Sequence, residues 1–266
     1  MTPHVPVSAR QWLETQFAGA PIHFNFMRCG TGHRVWLASR AASQWVVRER
    51  IVTAPGYVAD YLREQTIWER AAASGLAPHL LASLDAGRVW ISEWVPQSEG
   101  GLSATALGRL HVRIAELGEV SWRLDLRAQL EQYWQQSHRA SLCDIRRETG
   151  ATTPSQHGVP EAVTEAISAL EAGPVVLCHN DLLPANVLGM PGRRRVIDWE
   201  YAAMGSPYFD AAATLSALPE RQHQDYLEAA FPAGWDDALL NAGRRVYEAM
   251  EAAWRSAVVT PRVDYQ

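Results

Sequence analysis

Lysine is missing from this chain, so all 24 side chains in its Lys+Arg count are arginine. Any grip on phosphate through a side-chain cation must therefore use a guanidinium, which can meet phosphate or carboxylate with two parallel N–H bonds. Cysteine is scarce. Cys29, Cys143 and Cys178 are scattered and odd in number, so neither a disulfide framework nor a zinc site is expected. No apolar run approaches membrane-spanning length, and Met1 to Arg10 lacks a charged region followed by an apolar core. A reducing, cytoplasmic setting is the expectation, with no membrane and no obligate protein partner. The formal charge of −5 argues against unaided nucleic-acid binding and is compatible with a cationic partner.

What the chain does contain is concentrated between Val175 and Ala202, VVLCHNDLLPANVLGMPGRRRVIDWEYA. Val175 to Cys178 and Val196-Ile197 are short apolar runs of strand type, which puts the polar residues between and after them at strand ends and in the connecting loop. Asp181 can accept a proton from an incoming hydroxyl, while Asn186 and Asp198 offer oxygen atoms to Mg²⁺, a hard cation. Pro184 stiffens the loop, and Gly192 with Arg193, Arg194 and Arg195 reads as a solvated hairpin tip.

The order His179-Asn180-Asp181-Leu182-Leu183-Pro184-Ala185-Asn186, then Ile197-Asp198-Trp199-Glu200-Tyr201, resembles the catalytic loop and metal-binding aspartate of the aminoglycoside phosphotransferase and choline kinase superfamily. The resemblance implies an α+β, protein-kinase-like two-lobe fold, with a small β-rich N-lobe over residues 1–95 and a mostly helical C-lobe over 96–266. It further implies Mg²⁺ as cofactor and ATP as co-substrate, with Asp181 catalytic and Asn186 and Asp198 metal-binding. Gly205 to Asp210 follows Asp198 almost at once, which leaves little room for a peptide-binding platform and favours a small acceptor. Asp210 is either a brace for the catalytic loop, as in the family, or a helix N-cap.

Upstream segments fit the same order. Phe24 to Ala38 gives two strand-like pieces around Gly30-Thr31-Gly32, either a shortened nucleotide-covering loop or a plain hairpin turn, with His33 where many relatives have Asn. Arg48 ends the next strand where relatives place a phosphate-pairing cation. From Tyr57 to Ala73 the residues Tyr57, Tyr61, Glu64, Trp68 and Ala71 share one helical face, so Glu64 falls on an apolar stripe and needs a cation, for which Arg48 is the expected partner. Arg88 to Val95 reads as the last N-lobe strand, with Glu93 and Val95 edging the adenine pocket by resemblance. Leu107 to His111 resembles the helix that opens the C-lobe, with His111 packed or hydrogen-bonded. Leu124 to Arg146 and Pro160 to Ala172 read as helical, and Arg147 to Val159 as loop.

The acceptor is expected to be a small alcohol, cationic in type. Tyr247, Met250 and Trp254 fall on one face of the last helix, either as core packing or as an aromatic surface for a cation, and Glu200 is a candidate anionic wall. Leu130 to Ser137, LEQYWQQS, together with the I-D-W-E-Y-A ending, is similar to bacterial thiamine kinases. Thiamine is thus the first acceptor expected, with choline or ethanolamine second and an aminoglycoside third. A catalytically silent nucleotide-binding module is the reading from another class.

Overall fold

The computed structural model describes residues 3–30, 32–51, 61–97, 101–135 and 159–257. The chain groups into two compact units, Met1–Leu102 with Ala185–Tyr201, and Ser103–Pro184 with Ala202–Gln266. The expectation of a single boundary at 95/96 had no place for the return of Ala185–Tyr201 to the first unit. Among the described residues no helix is long and apolar enough to cross a membrane.

In the first unit, β1 (His23–Cys29), β2 (His33–Arg40), β3 (Ser43–Arg50), β4 (Leu80–Leu84) and β5 (Val89–Glu93) form an antiparallel sheet of order β1-β2-β3-β5-β4. Helix α1 (Val7–Gln16) packs Ala9 and Leu13 against Trp36, Ala38, Trp45, Val47, Val89 and Ile91. Strand alternation then decides where the arginines go. Trp45 and Val47 point into this core, so Arg48 and Arg50, offset by one residue and two apart, share the opposite face. The register sets His33 across from Arg50 and Trp90 across from Arg48. Helix α2 (Tyr61–Ala73) buries Glu64, Ile67, Trp68, Ala71 and Ala72, close to the expected face; Tyr57 lies outside the described residues.

Strands β7 (Val187–Leu188) and β8 (Arg195–Val196) pair with each other as a hairpin. It is sewn into the first unit by backbone bonds from Val196 N–H to Leu76 O (2.6 Å) and from Gly189 N–H to Pro96 O (3.0 Å). Gly189 has φ +84°, and a Cβ there would meet Arg193 O at 2.6 Å, so the turn admits no side chain. The expected solvated arginine tip needs correction. Arg193 is exposed, but Arg194 and Arg195 are half-buried and donate to Gly189 O (2.7 Å) and Gly75 O (2.8 Å).

The second unit is mostly helical. It comprises α3 (Ala104–Ala115), α4 (126–135), α5 (Glu161–Ala172), α6 (Pro207–Ser216), α7 (His223–Ala230) and α8 (Asp237–Ala257), with β6 (Val176–Cys178) paired to β9 (Ala203–Gly205). Ser103 caps α3 by accepting from Ala106 N–H at 3.2 Å. Helix α3 crosses α7 so closely at Gly108 that an added Cβ would meet Tyr226 O at 2.5 Å and Ala229 Cβ at 2.7 Å. The expected loop over 147–158 and the helical continuation over 136–146 lie outside the described residues. Leu130 and Tyr133 of the LEQYWQQS segment are core residues, and Gln136 and Ser137 are not described.

Candidate active site

The loop that carries Asp181 leaves β6 at Cys178 and is held from one face of α6. Asp210, 1% exposed, accepts the backbone N–H of His179 (3.1 Å) and of Asn180 (2.7 Å). One helical turn later Thr214 donates its hydroxyl to Leu182 O at 3.0 Å. Asn180 has φ +62°, a conformation asparagine tolerates better than most residues. Of the two roles open to Asp210, the geometry selects the brace. The N-cap of α6 is Ser206, which accepts from Tyr208 N–H at 3.3 Å. Asp181, partly exposed, follows directly on the clamped dipeptide, and its carbonyl accepts Leu183 N–H at 2.8 Å.

Behind the clamp, His111 Nδ1 lies 3.1 Å from the Tyr226 hydroxyl and 3.7 Å from Asp210 Oδ2. Burial pushes the His111 imidazole below its ordinary range, against the pull of Asp210, and burial together with the Asp210 charge pushes the Tyr226 phenol well up. Both groups are neutral near pH 7, consistent with a hydrogen-bonding role for His111.

Asn186 and Asp198 belong to the first unit, at the open end of the β7–β8 hairpin. Ile197 N–H donates to Asn186 O at 2.9 Å, which brings the two backbones side by side. Asn186 is 8% exposed, and Asp198 has φ +70°, which turns the chain out of β8. His33, Asp198 and Glu200 offer ligand atoms that all lie within 4.8 Å of one another, the one such trio of His, Cys, Asp or Glu among the described residues. Asp198 and Glu200 contribute carboxylate oxygens, the kind of donor a hard divalent ion takes, while both ring nitrogens of His33 face guanidinium groups.

Arg48 meets the carboxylate that periodicity assigned to it: its Nη1 is 2.5 Å from Glu64 Oε1. Its Nη2 reaches Asp198 Oδ1 (2.9 Å) and His33 Nδ1 (3.2 Å). Burial alone would favour uncharged Arg48, but the Glu64, Asp198 and Glu200 carboxylates outweigh it and raise the guanidinium's pKa. Sequence reasoning missed Arg50, whose Nη2 pairs with Glu64 Oε2. The i, i+2 spacing of Arg48 and Arg50 in a strand was the available signal. His33 stands between the two cations, with Nε2 3.3 Å from Arg50 Nε. Burial, then Arg48, Arg50 and Arg28, hold its imidazole down to about 2, so it is neutral and offers one lone pair to two guanidinium groups. His33, Arg48, Arg50, Gly87, Arg88 and Trp90 line a small recess, partly open to solvent, with room for about one water molecule.

Gly30 N–H donates to His33 O (2.8 Å), closing the turn between β1 and β2, and Gly32 O accepts from Ile51 N–H (2.8 Å). A Cβ would meet nothing closer than 3.8 Å at Gly30 or 3.9 Å at Gly32, so space alone does not demand glycine at either position. Glu93 exchanges two bonds with the backbone of His79, accepting His79 N–H on its carboxylate and donating its own N–H to His79 O, each at 3.0 Å. Val95, half-buried, lies against the hairpin turn at Gly189.

The acceptor candidates divide between the units. Glu200, in the first, accepts on its carbonyl from Arg63 Nη2 at 2.7 Å. Tyr247 and Trp254, in the second, are half-buried on one face of α8, with Met250 buried beside them. The Tyr247 ring is tilted against that of Phe209 at 6.1 Å, and its phenol is pushed up by burial, with the charges of Glu251 and Asp181 adding to the shift. Tyr247 is thus within electrostatic reach of Asp181.

Comparison with known proteins adds four findings. The model of the family described as "APH: Phosphotransferase enzyme family" matches residues 28–253. Protein LicA of Haemophilus influenzae is 47% identical over 51 residues, a match spanning 19% of each chain. Among solved structures, choline kinase LicA from Streptococcus pneumoniae superposes with a TM-score of 0.68 at 15% identity, covering 94% of this chain and 89% of that one. The spectinomycin phosphotransferase APH(9)-Ia, in complex with ADP and spectinomycin, gives 0.60 at 16% identity, over 96% and 87%. At these identities the likeness shows the fold, which is protein-kinase-like, with an antiparallel sheet in the N-terminal region and helices in the C-terminal region.

Proposed function

Because the chain belongs to the phosphotransferase enzyme family, we propose that it transfers the γ-phosphoryl group of ATP to a primary hydroxyl of a small cationic alcohol. The observation that carries this reading is the family match over 28–253 with Asp181, Asn186 and Asp198 all retained at catalytic-loop spacing. ATP as donor is supported by the ADP in the spectinomycin phosphotransferase structure.

In the proposed mechanism Asp181 accepts a hydrogen bond from the acceptor's hydroxyl and aims its oxygen at phosphorus. The O–P bond to the acceptor forms as the bond from the γ-phosphorus to the bridging oxygen breaks. The hydroxyl proton passes to Asp181 and then to solvent, and ADP leaves. Arg48 clamps phosphate oxygens, Glu64 holds Arg48, the Gly30–Gly32 turn covers the nucleotide, and Glu93 and Val95 edge its base. Asn186 and Asp198 would hold Mg²⁺, whose contribution is to neutralise charge on the phosphates. Asp198 and Glu200 suit that ion, and Arg48 must release Asp198 Oδ1 for the aspartate to offer both oxygens.

Choline or ethanolamine is the acceptor favoured now, because the Haemophilus match and the Streptococcus structure are both LicA, the latter a choline kinase. Tyr247 and Trp254 would face the cation, each worth about 1–2 kcal/mol when desolvated, with Glu200 supplying an anionic wall. Thiamine rests on the LEQYWQQS and I-D-W-E-Y-A resemblances, and an aminoglycoside stands third. The Arg48–Asp198 ion pair keeps the silent nucleotide-binding module in view, since it occupies the metal-binding aspartate. ADP release from Mg-ATP is to be measured with choline, ethanolamine, thiamine and aminoglycosides. Release with choline or ethanolamine above the acceptor-free rate is expected; release with none, despite tight ATP binding, favours the silent module.

A further inference from the structure

Glu64 answers two arginines with one charge. It is 1% exposed; Oε1 accepts from Arg48 and Oε2 from Arg50. Both cations lie near the Trp90 ring, Arg48 at 5.6 Å, and they differ in their remaining partners. Arg48 uses its second terminal nitrogen on Asp198 and His33. Arg50 is enclosed: it is 7% exposed, its guanidinium carbon lies 4.0 Å over the Tyr61 ring and 5.7 Å from the Trp90 ring, and its Nε faces His33 Nε2. Arg48 alone of the two reaches Asp198, whereas Arg50 is held among Glu64, Tyr61 and His33.

We propose that Arg50 is a positioning residue for Arg48: by occupying the second oxygen of Glu64 it confines Glu64 to a single bond with Arg48 and leaves the far edge of that guanidinium for phosphate. The inference rests on the reading of Arg48 as the phosphate clamp. Two physical effects act together. A carboxylate beside a lone guanidinium prefers the fork-to-fork arrangement, with both oxygens on one arginine. With Arg50 in place that arrangement is blocked. The second effect is charge. Two cations shared by Glu64 leave one positive charge, met by Asp198 in this structure and open to the phosphates once Asp198 turns to the metal, whereas Glu64 with Arg48 alone is a neutral buried pair with little attraction for a third group. The arrangement also places no demand on lysine, because one cation is committed to holding the carboxylate and the other to the ligand.

The test compares Mg-ATP binding, by calorimetry, and ATP-dependent kinetics for the wild type, Arg50→Met, Arg50→Lys and the double variant Arg50→Met/Glu64→Gln. A wild type that fails to bind Mg-ATP refutes the phosphate-clamp reading itself, before any variant is compared. Given binding, Arg50→Met is expected to weaken Mg-ATP by about tenfold or more, to raise KM for ATP by a similar factor, and to leave kcat at saturating ATP within about threefold. Arg50→Lys keeps a charge on Oε2 and is expected within about threefold of the wild type. The double variant, whose neutral amide cannot seize Arg48 as a carboxylate would, is expected to regain most of the lost affinity. Wild-type affinity in Arg50→Met overturns the proposal. So does a double variant that binds more weakly than Arg50→Met, the outcome of a merely structural role. If Arg50→Met does not fold, as judged by its melting curve, Arg50→Gln with its own Glu64→Gln double carries the same two expectations.

Discussion

Replacing Asp210 by alanine removes the acceptor of two backbone N–H groups at once. His179 is fully buried and Asn180 is 7% exposed, so neither donor gains free access to water in compensation. A buried donor left without its partner costs about 1–3 kcal/mol, so the pair sets the loss at about 2–6 kcal/mol. Against a typical domain stability of about 5–15 kcal/mol this is a large share. Asp210→Asn keeps one acceptor oxygen, turns its amide hydrogens toward the other donor, and is expected to lose about half as much. Asn180 holds φ +62° while its N–H is bonded at 2.7 Å; without that bond it relaxes toward ordinary backbone angles and carries Asp181 with it. Urea unfolding gives the stability change, and hydrogen exchange at the amides of residues 179 and 180 gives the local one. An Asp210→Ala protein within about 0.5 kcal/mol of the wild type, with both amides still protected, would refute the brace.

Gly108→Ala should destabilise by about 1–3 kcal/mol despite alanine's better helix propensity, because the new Cβ would sit 2.5 Å from Tyr226 O and 2.8 Å from Ala230 N, both backbone; a thermal or urea midpoint at or above the wild type would show that the crossing of α3 and α7 can spread. His111 titrates lower in the folded protein than in the unfolded chain, where it has its ordinary value near 6.5. Between those values the unfolded chain binds the extra proton, so this contribution is complete above about pH 6.5 and is lost as the pH falls through the depressed folded value. The urea midpoint of His111→Gln should accordingly decline less than the wild type's between pH 7.5 and 5, and equal declines would contradict the assignment. Asp198→Ala should weaken metal-dependent nucleotide binding, measured by calorimetry with and without Mg²⁺, and an unchanged metal effect would remove Asp198 from the ion's ligands.

Much of the candidate site was legible because it is written in short, ordered spacings. The His179 to Asn186 loop, Asp198, and the pairing of Arg48 with Glu64 could be read in this way. The last followed from one helical face and the cost of an unpaired buried carboxylate. The second partner of Glu64 escaped because periodicity shows that Arg50 shares a face with Arg48 but not that one carboxylate serves both. The choice between brace and cap for Asp210 depended on whether its carboxylate points along its own helix or back to a loop 30 residues upstream, which no local pattern encodes. Likewise Arg194 and Arg195 look like surface charge beside Gly192, and only the fold supplies the carbonyl groups of Gly189 and Gly75 that bind them. The return of Ala185–Tyr201 to the first unit is a matter of long-range backbone pairing with Leu76 and Pro96, equally silent in the sequence.

The most direct test follows phosphorus itself: ³¹P NMR of Mg-ATP with choline or ethanolamine, with the wild type and with Asp181→Asn. The account predicts a phosphomonoester signal that grows in step with ADP in the wild type and falls by orders of magnitude in Asp181→Asn, while calorimetry shows that the variant still binds Mg-ATP. A phosphomonoester formed equally fast by both proteins would contradict it.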